Sequence, residues 1–278
     1  MRHLDGIDAV VFDVDGTLLH AADPGGVHRA TAIPGAVDAV ERVRASGRRI
    51  LCFTNGTGRL PAEYARDLAR LGFPIEPGEF MNPAVVAARF IARKHPGASV
   101  LVLGGRGVSE PVRAAGLRVV DRAEPDLADV VLVGWDDGLS YGALRAACDS
   151  IWHGAPLYAT STAPVFSVAG GHAPGWSGAV VAGIVKTTGA RARTLGKPDP
   201  VALREACRAL GTTPARTAVI GDDLRLEIAM ARRAGARALL VLTGVSTAAE
   251  AAGAPTGRAP HAVLADVTGI VPNSRTAS

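Results

Sequence analysis

Cysteine is scarce in this chain. Only Cys52, Cys148 and Cys207 occur among 278 residues, and no CxxC spacing is present. So few scattered thiols exclude a disulfide framework or a structural zinc site as the organising device, and they suit a reducing compartment. No apolar run approaches the about 18 residues of a membrane helix; the longest, such as ALLVL at 238–242, are strand-sized. The opening MRHLDGIDAVVFDVDG has acids among its apolar residues and so lacks a signal-peptide core. The expectation is a cytoplasmic protein with no membrane partner. A dominant charge is also missing: 30 Lys+Arg against 26 Asp+Glu leave +4, without a run of five like charges. That excludes nucleic-acid binding as the organising function and leaves acidic small molecules as partners. Lysine is rare too, with Lys94, Lys186 and Lys197 against 27 arginines.

What is present is globular: 48% hydrophobic and 20% charged residues, with 33 Gly and 18 Pro spread along the chain. At roughly 150 residues per domain, the length suits two domains. The pattern predicts strands near 8–12, 49–53, 99–103, 129–133, 217–220 and 237–242. Helices are predicted near 35–46, 61–71, 83–94, 140–151, 177–187, 200–210 and 225–234. Pro34 and Pro61 mark helix starts, and Gly47 and Gly72 fall just past helix ends. Continuous apolar strands alternating with helices imply strands buried on both faces, hence an α/β fold with a parallel sheet. The charged motifs fall in 1–80 and 190–278, and 81–189 reads as a separate α/β unit inserted between these core segments.

Four motifs carry chemistry. In VVFDVDGTLL (10–19) a strand ends at Phe12 and places Asp13 and Asp15 at its carboxyl end, where open α/β sheets bind ligands. Two carboxylates that close repel unless a cation lies between them, and Gly16–Thr17 adds a turn whose N–H groups can face an anion. An ordinary Asp-Gly turn is the bland alternative. In ILCFTNGTG (50–58) a second strand runs into Thr54, Asn55 and Gly56, which either offer a hydroxyl and N–H donors to a phosphoryl oxygen or merely turn the chain. Lys197, in TLGKPDP, is a compact point charge held extended before Pro198, or else a solvated surface lysine. In TAVIGDDLRLEI (217–228) a strand meets Gly221, Asp222 and Asp223, then a helix carrying Glu227; these acids could instead cap that helix. Jointly the set makes sense for phosphoryl transfer. Carboxylates would hold a hard ion such as Mg²⁺, Thr54 and Lys197 would neutralise phosphoryl oxygens, and one Asp would attack phosphorus.

DVDGT, TNG, GKP and GDD, in this order over nearly the whole chain, resemble the haloacid dehalogenase (HAD) superfamily of aspartyl-phosphate phosphohydrolases. IPGAVDAVERVRASGRRILCFTN, VGWDDGLSYGALRAAC, PGWSGAVVAGIV and LLVLTGV narrow the likeness to the NagD-like branch, with its 4-nitrophenyl phosphatase and phosphoglycolate phosphatase relatives. The resemblance implies a Rossmann-like parallel-sheet core of the HAD type with a large α/β cap inserted between the second and third motifs. By motif position it implies Asp13 as nucleophile and Asp15 as general acid/base. It also implies Mg²⁺ held by the Asp13 carboxylate, the Asp15 backbone carbonyl and the Asp222 carboxylate. Thr54, Lys197 and the main chain near Asn55 and Gly56 would bind the phosphoryl group, while Asp223 or Glu227 would orient metal-bound water. The implied substrate is a small phosphorylated metabolite rather than a haloacid, because dehalogenases lack the second acid that Asp15 supplies. A homodimer through the cap is implied as possible.

The chain departs from that pattern at TNG for TNN, at GDDLRLEI for GDRxxTDI, and where Ser161 and Ala163 replace polar groups near the substrate, so specificity does not carry over. VLVLGGRGVSE (100–110) imitates a dinucleotide fingerprint of strand, glycines and helix, but Glu110 stands where the third Gly belongs, and a structural turn is expected at the glycines. Trp135, Asp136, Tyr141 and Trp152 are expected to pack or hydrogen-bond within the inserted unit rather than stack a base. His172 and Trp176 lie in a Gly/Pro-rich loop, facing substrate or merely exposed. A phosphotransferase or mutase using the same aspartate, and a non-catalytic phosphate-binding protein on the same fold, are the competing readings.

Overall fold

A computed structural model describes residues 3–20, 30–121, 126–136, 138–168 and 171–270. The chain divides into two compact units: Met1–Thr54 with Ala62–Met81 and Lys197–Ser278, and Asn55–Pro61 with Asn82–Gly196. Each has its own sheet and its own apolar core.

The first unit carries a six-stranded sheet in the order Ala262–Leu264, Arg237–Val241, Thr217–Gly221, Ala9–Phe12, Arg49–Phe53, Phe80–Met81. Every pairing in it is parallel. Val10, Phe12, Ile220 and Leu240 are fully buried, which is why these strands read as unbroken apolar runs. Ala9–Phe12 lies between the two strands that lead into the second and fourth motifs. Phe12 pairs with Cys52 on one side and with Ile220 on the other. This register brings the three chain segments out at one sheet edge, so Asp13, Thr54 and Asp222 leave it side by side. Chain order runs outward in both directions from Ala9–Phe12, and the carboxyl-end crevice at such a reversal is where ligands bind.

Two helix boundaries differ from expectation. Ala36–Ala45 begins after Gly35 (φ 76°), so Pro34 stands outside it. The helix expected at 225–234 is a π turn, Leu224–Ile228, continued by Ala229–Ala234. Asp223 opens that turn by accepting from the Arg225 N–H (2.6 Å), and Glu227 reaches back to accept from the Asp223 N–H (3.1 Å).

The second unit has a five-stranded parallel sheet: Ala192–Thr194, Leu157–Ala159, Val130–Val133, Ser99–Leu103, Arg118–Val119. The strand Ser99–Leu103 passes through the expected turn at the glycines into a helix, Arg106–Ala114, which contains Pro111. A Cβ on Gly104 or Gly134 would come within 2.8 or 2.5 Å of Val108, so these glycines serve close packing. Trp176 opens the helix Trp176–Thr188 and packs on the core, while His172 lies in the strand Gly171–Pro174 of a hairpin with Val165–Val168. Asp136 is buried and accepts from the Gly138 N–H (3.0 Å). Tyr141 and Trp152 contradict the expectation of packing. They are largely exposed, because alanines fill the buried face of their helix. Among the described residues no helix is long and apolar enough to cross a membrane.

Candidate active site

Asp13 is the first residue past the central strand and is only 6% exposed. Its backbone N–H still donates to the Ile220 carbonyl (2.8 Å), which fixes where the side chain leaves the sheet. Oδ2 accepts from the Thr17 hydroxyl (3.1 Å), and Oδ1 accepts from the Lys197 ammonium. The return of Thr17 toward Asp13 runs through Gly16 at φ 83°, a conformation that glycine adopts without strain.

Lys197 is 3% exposed and is no surface lysine. Besides Asp13, its ammonium donates to Glu227 Oε1 (2.7 Å) and to the Phe53 carbonyl (3.1 Å). Burial opposes its charge, but the paired carboxylates of Asp13 and Glu227 more than offset that and hold its pKa above the ordinary range. Glu227 is itself buried, and its second oxygen is fixed by the Asp223 N–H. A Cβ on Gly221 would meet Glu227 Cγ at 2.3 Å, so the glutamate stem occupies space that Gly221 leaves open.

The adjacent acids Asp222 and Asp223 diverge. Asp222 Oδ2 accepts from the Val245 N–H (2.8 Å), and a Cβ on Gly16 or Gly244 would come within 2.5 or 1.9 Å of that oxygen. Two glycines thus cradle its carboxylate. Asp223 instead caps the π turn and faces Arg225 Nε at 3.6 Å. Asp15 Oδ2 accepts from the Thr54 hydroxyl at 3.3 Å. Asn55 and Gly56 group with the second unit, where the Gly56 carbonyl accepts from Asn82 Nδ2 (3.2 Å).

Three buried carboxylates, those of Asp13, Asp222 and Glu227, and the exposed Asp15 therefore share the field of Lys197. Burial raises the pKa of Asp13, and desolvation by its neighbours raises that of Asp15, with the Lys197 charge opposing it in both. Asp222 is pushed up to about 9 by burial and then by the charges of Asp13 and Glu227. Glu227 is pushed up to about 7, chiefly by burial. Such crowding is relieved by a hard cation, and the available donors are all oxygen. Among the described residues no three His, Cys, Asp or Glu side chains gather into a metal cage. The oxygen groups that could hold a hard cation such as Mg²⁺, which takes one or two carboxylates and keeps several waters, are the Asp13 and Asp222 carboxylates and the Asp15 carbonyl.

Sequence reasoning missed three contributors: the Val245 N–H, Gly244, and Thr243, whose hydroxyl donates to the Gly16 carbonyl (2.6 Å). All lie in LTGV after the strand Arg237–Val241. A backbone donor has no residue-type signature; only the glycine right after a buried strand hinted at it.

Two family models match the chain, a haloacid dehalogenase-like hydrolase over residues 10–118 and a HAD-hydrolase-like model over 194–270. Human chronophin is 33% identical over 255 residues, spanning 87% of this chain and 83% of chronophin. Among solved structures, a glycerol phosphate phosphatase from Mycobacterium tuberculosis in complex with magnesium superposes with a TM-score of 0.86 at 31% identity, covering 99% of this chain and 79% of that one. NagD from Escherichia coli K-12 superposes with a TM-score of 0.82 at 26% identity, covering 95% and 98%.

Proposed function

The chain belongs to the haloacid dehalogenase-like hydrolases, in their NagD-like branch, and on that footing we propose that it is a Mg²⁺-dependent phosphatase of a small phosphomonoester, working through a phosphoryl group carried on Asp13. The observation that carries this reading is the Asp13–Lys197 pair at the end of the central strand. A nucleophilic carboxylate must stay ionised although buried, and the ammonium favours that form. Glu227 anchors Lys197 in place, a role its contacts favour over orienting metal-bound water.

Asp13 attacks phosphorus, the bond from phosphorus to the leaving oxygen breaks, and Asp15 gives that oxygen its proton. Asp15 is exposed, where a leaving group can reach it, and desolvation by its neighbours raises its pKa, which lets it hold this proton nearer neutral pH than a free carboxyl would. In the second half Asp15 takes a proton from water, the water oxygen attacks phosphorus, and the bond to Asp13 breaks to release inorganic phosphate. Asp13, Asp222 and the Asp15 carbonyl would hold Mg²⁺, which supplies charge neutralisation at the phosphoryl oxygens. Lys197 already donates to three protein acceptors, so binding a phosphoryl oxygen exchanges one of them. Thr54 exchanges its bond to Asp15 in the same way.

The unit formed largely by 82–196 is read as the inserted cap, and the three buried free thiols suit a cytoplasmic setting. Glycerol phosphate, the substrate in the name of the M. tuberculosis relative, is the first compound to try. The test is Asp13→Asn, assayed for phosphate release from an aryl phosphate and from glycerol phosphate with and without Mg²⁺. Release by the variant is expected to vanish while the fold persists; a sizeable remaining fraction overturns the covalent mechanism.

A further inference from the structure

A cavity of about 310 Å³ opens in the first unit, beside the π turn Leu224–Ile228. At roughly 30 Å³ per water it has room for about ten non-hydrogen atoms. Its walls are Leu224 and Arg225 from the turn, Ser246 and Glu250 from the segment after the strand Arg237–Val241, and Pro255 and Arg258 beyond them. Leu224 and Pro255 supply apolar surface, and the other four supply polar groups.

Each of those four keeps hydrogen-bonding capacity that the fold does not use. Among the described residues, the exposed Arg258 guanidinium makes no hydrogen bond or ion pair. Arg225 comes only within 3.6 Å of Asp223, a loose and exposed pair. Ser246 is 6% exposed, and its Oγ accepts from the Leu224 N–H (3.0 Å), yet among the described residues its own proton is donated to nothing. Glu250 takes both of its bonds on Oε2, from the Thr247 N–H (2.8 Å) and hydroxyl (3.0 Å), which leaves Oε1 open.

The walls are also held still. The Ser246 N–H donates to the Asp222 carbonyl (3.0 Å), and Glu250 is locked to Thr247 by a reciprocal capping box. A ligand that meets fixed groups loses less free energy to ordering them. Charge then selects the ligand. Two cations and one anion leave a net +1, which suits a monoanion better than a dianion. The planar forks of the two arginines match the paired oxygens of a carboxylate. Glu250 Oε1 repels a second anionic group and accepts from a hydroxyl instead.

We propose that this cavity binds a small hydroxylated monocarboxylate, with its carboxylate on Arg225 and Arg258 and a hydroxyl on Glu250. The Ser246 hydroxyl donates to the same ligand from the floor. The proposal stands apart from the phosphatase reading, because none of these four polar side chains belongs to the catalytic set and binding is read without turnover.

Calorimetric titration of the full chain tests this with three probes. Glycerate carries a carboxylate and hydroxyls, propionate a carboxylate alone, and sulfate two charges. Glycerate is expected to bind one site with a Kd of about 1 mM or tighter, and the other two about tenfold more weakly. Arg258→Ala should weaken glycerate about tenfold, the loss of one charge-assisted contact. Glu250→Gln keeps the cap on Thr247 and should narrow the preference for glycerate over propionate. Lys197→Met should leave glycerate binding unchanged. No heat at about 20 mM glycerate overturns the proposal, as does an affinity indifferent to Arg258→Ala. Loss of binding in Lys197→Met also overturns it, by moving the carboxylate to the catalytic set. Equal affinity for all three probes overturns it as well, reducing the cavity to a patch of positive charge.

Discussion

Lys197→Met removes a charge and three donated hydrogen bonds while keeping an aliphatic stem near the Phe53 ring, whose centroid lies 5.6 Å from Nζ. Asp13, Glu227 and the Phe53 carbonyl each lose a donor. Breaking a buried ion pair by deleting one partner costs about 3–5 kcal/mol when the other stays charged. Here the abandoned carboxylates can take up protons, because the cation that favoured their ionised forms is gone. A group whose pKa is higher folded than unfolded binds extra protons in the native state, so its contribution falls as pH rises. The stability gap between wild type and Lys197→Met, measured by urea unfolding in chelator, should therefore be small at pH 5 and wide at pH 8. Catalysis loses more directly. One preorganised donor facing developing charge is worth about 2.7–4 kcal/mol, or roughly 10²–10³ in kcat. Phosphate release at saturating Mg²⁺ reads that loss. A fall in turnover of less than about tenfold, or a stability gap equal at both pH values, would show that Lys197 is not the cation on which the carboxylate cluster depends.

Metal-free wild type should also lose stability between about pH 4 and 9, since Glu227 and Asp222 have folded pKa values of about 7 and about 9 against ordinary values of 4.5 and 3.8. Each proton that folding retains steepens the decline by about 1.4 kcal/mol per pH unit, and Mg²⁺ should restore the loss; a flat profile in chelator would refute the crowding argument. Gly244→Ala puts a Cβ within 1.9 Å of Asp222 Oδ2, so the carboxylate must swing away. Mg²⁺ activation should shift to about 10–100-fold higher concentration with the fold retained, and an unshifted titration would argue against Asp222 as a ligand. Asp15→Asn should still form some phosphoenzyme yet slow its breakdown by about 10²–10⁴, which rapid acid quench would detect as accumulation. Absence of any trapped species alongside normal turnover would remove Asp15 from the role of acid and base.

Most of both sheets could be read from the sequence because strands buried on two faces leave no alternation to misread: VVF, ILCF, VLVL, VVLV and ALLV are unbroken. Among the strands that escaped notice, Phe80–Met81, Arg118–Val119, Ala192–Thr194 and Ala262–Leu264 are two or three residues long and lie at sheet edges, where a longer neighbour offers its ladder; Leu157–Ala159 is interior but is itself only three residues long. Nothing local signals them. Tyr141 and Trp152 failed for a different reason: residue type says aromatics prefer the interior, but only packing shows that alanines had already filled it.

The site divides along the same line. Four sheet-end or helix-start motifs were legible because catalysis needs charged residue types at places where apolar runs stop. How the acids share the work was not legible, since Asp222 and Asp223 are identical by type. Backbone direction separates them: one continues past the strand into a cradle of two glycines, and the next caps a turn. The Glu at 227 follows from that turn as well. A π turn places residue 227 so that its carboxylate spans the Asp223 N–H and the Lys197 ammonium, and Gly221 leaves room for its stem. The departure from the aspartate of the common motif is thus matched by its surroundings: the extra methylene is the length with which this carboxylate reaches the lysine while staying tied to the turn.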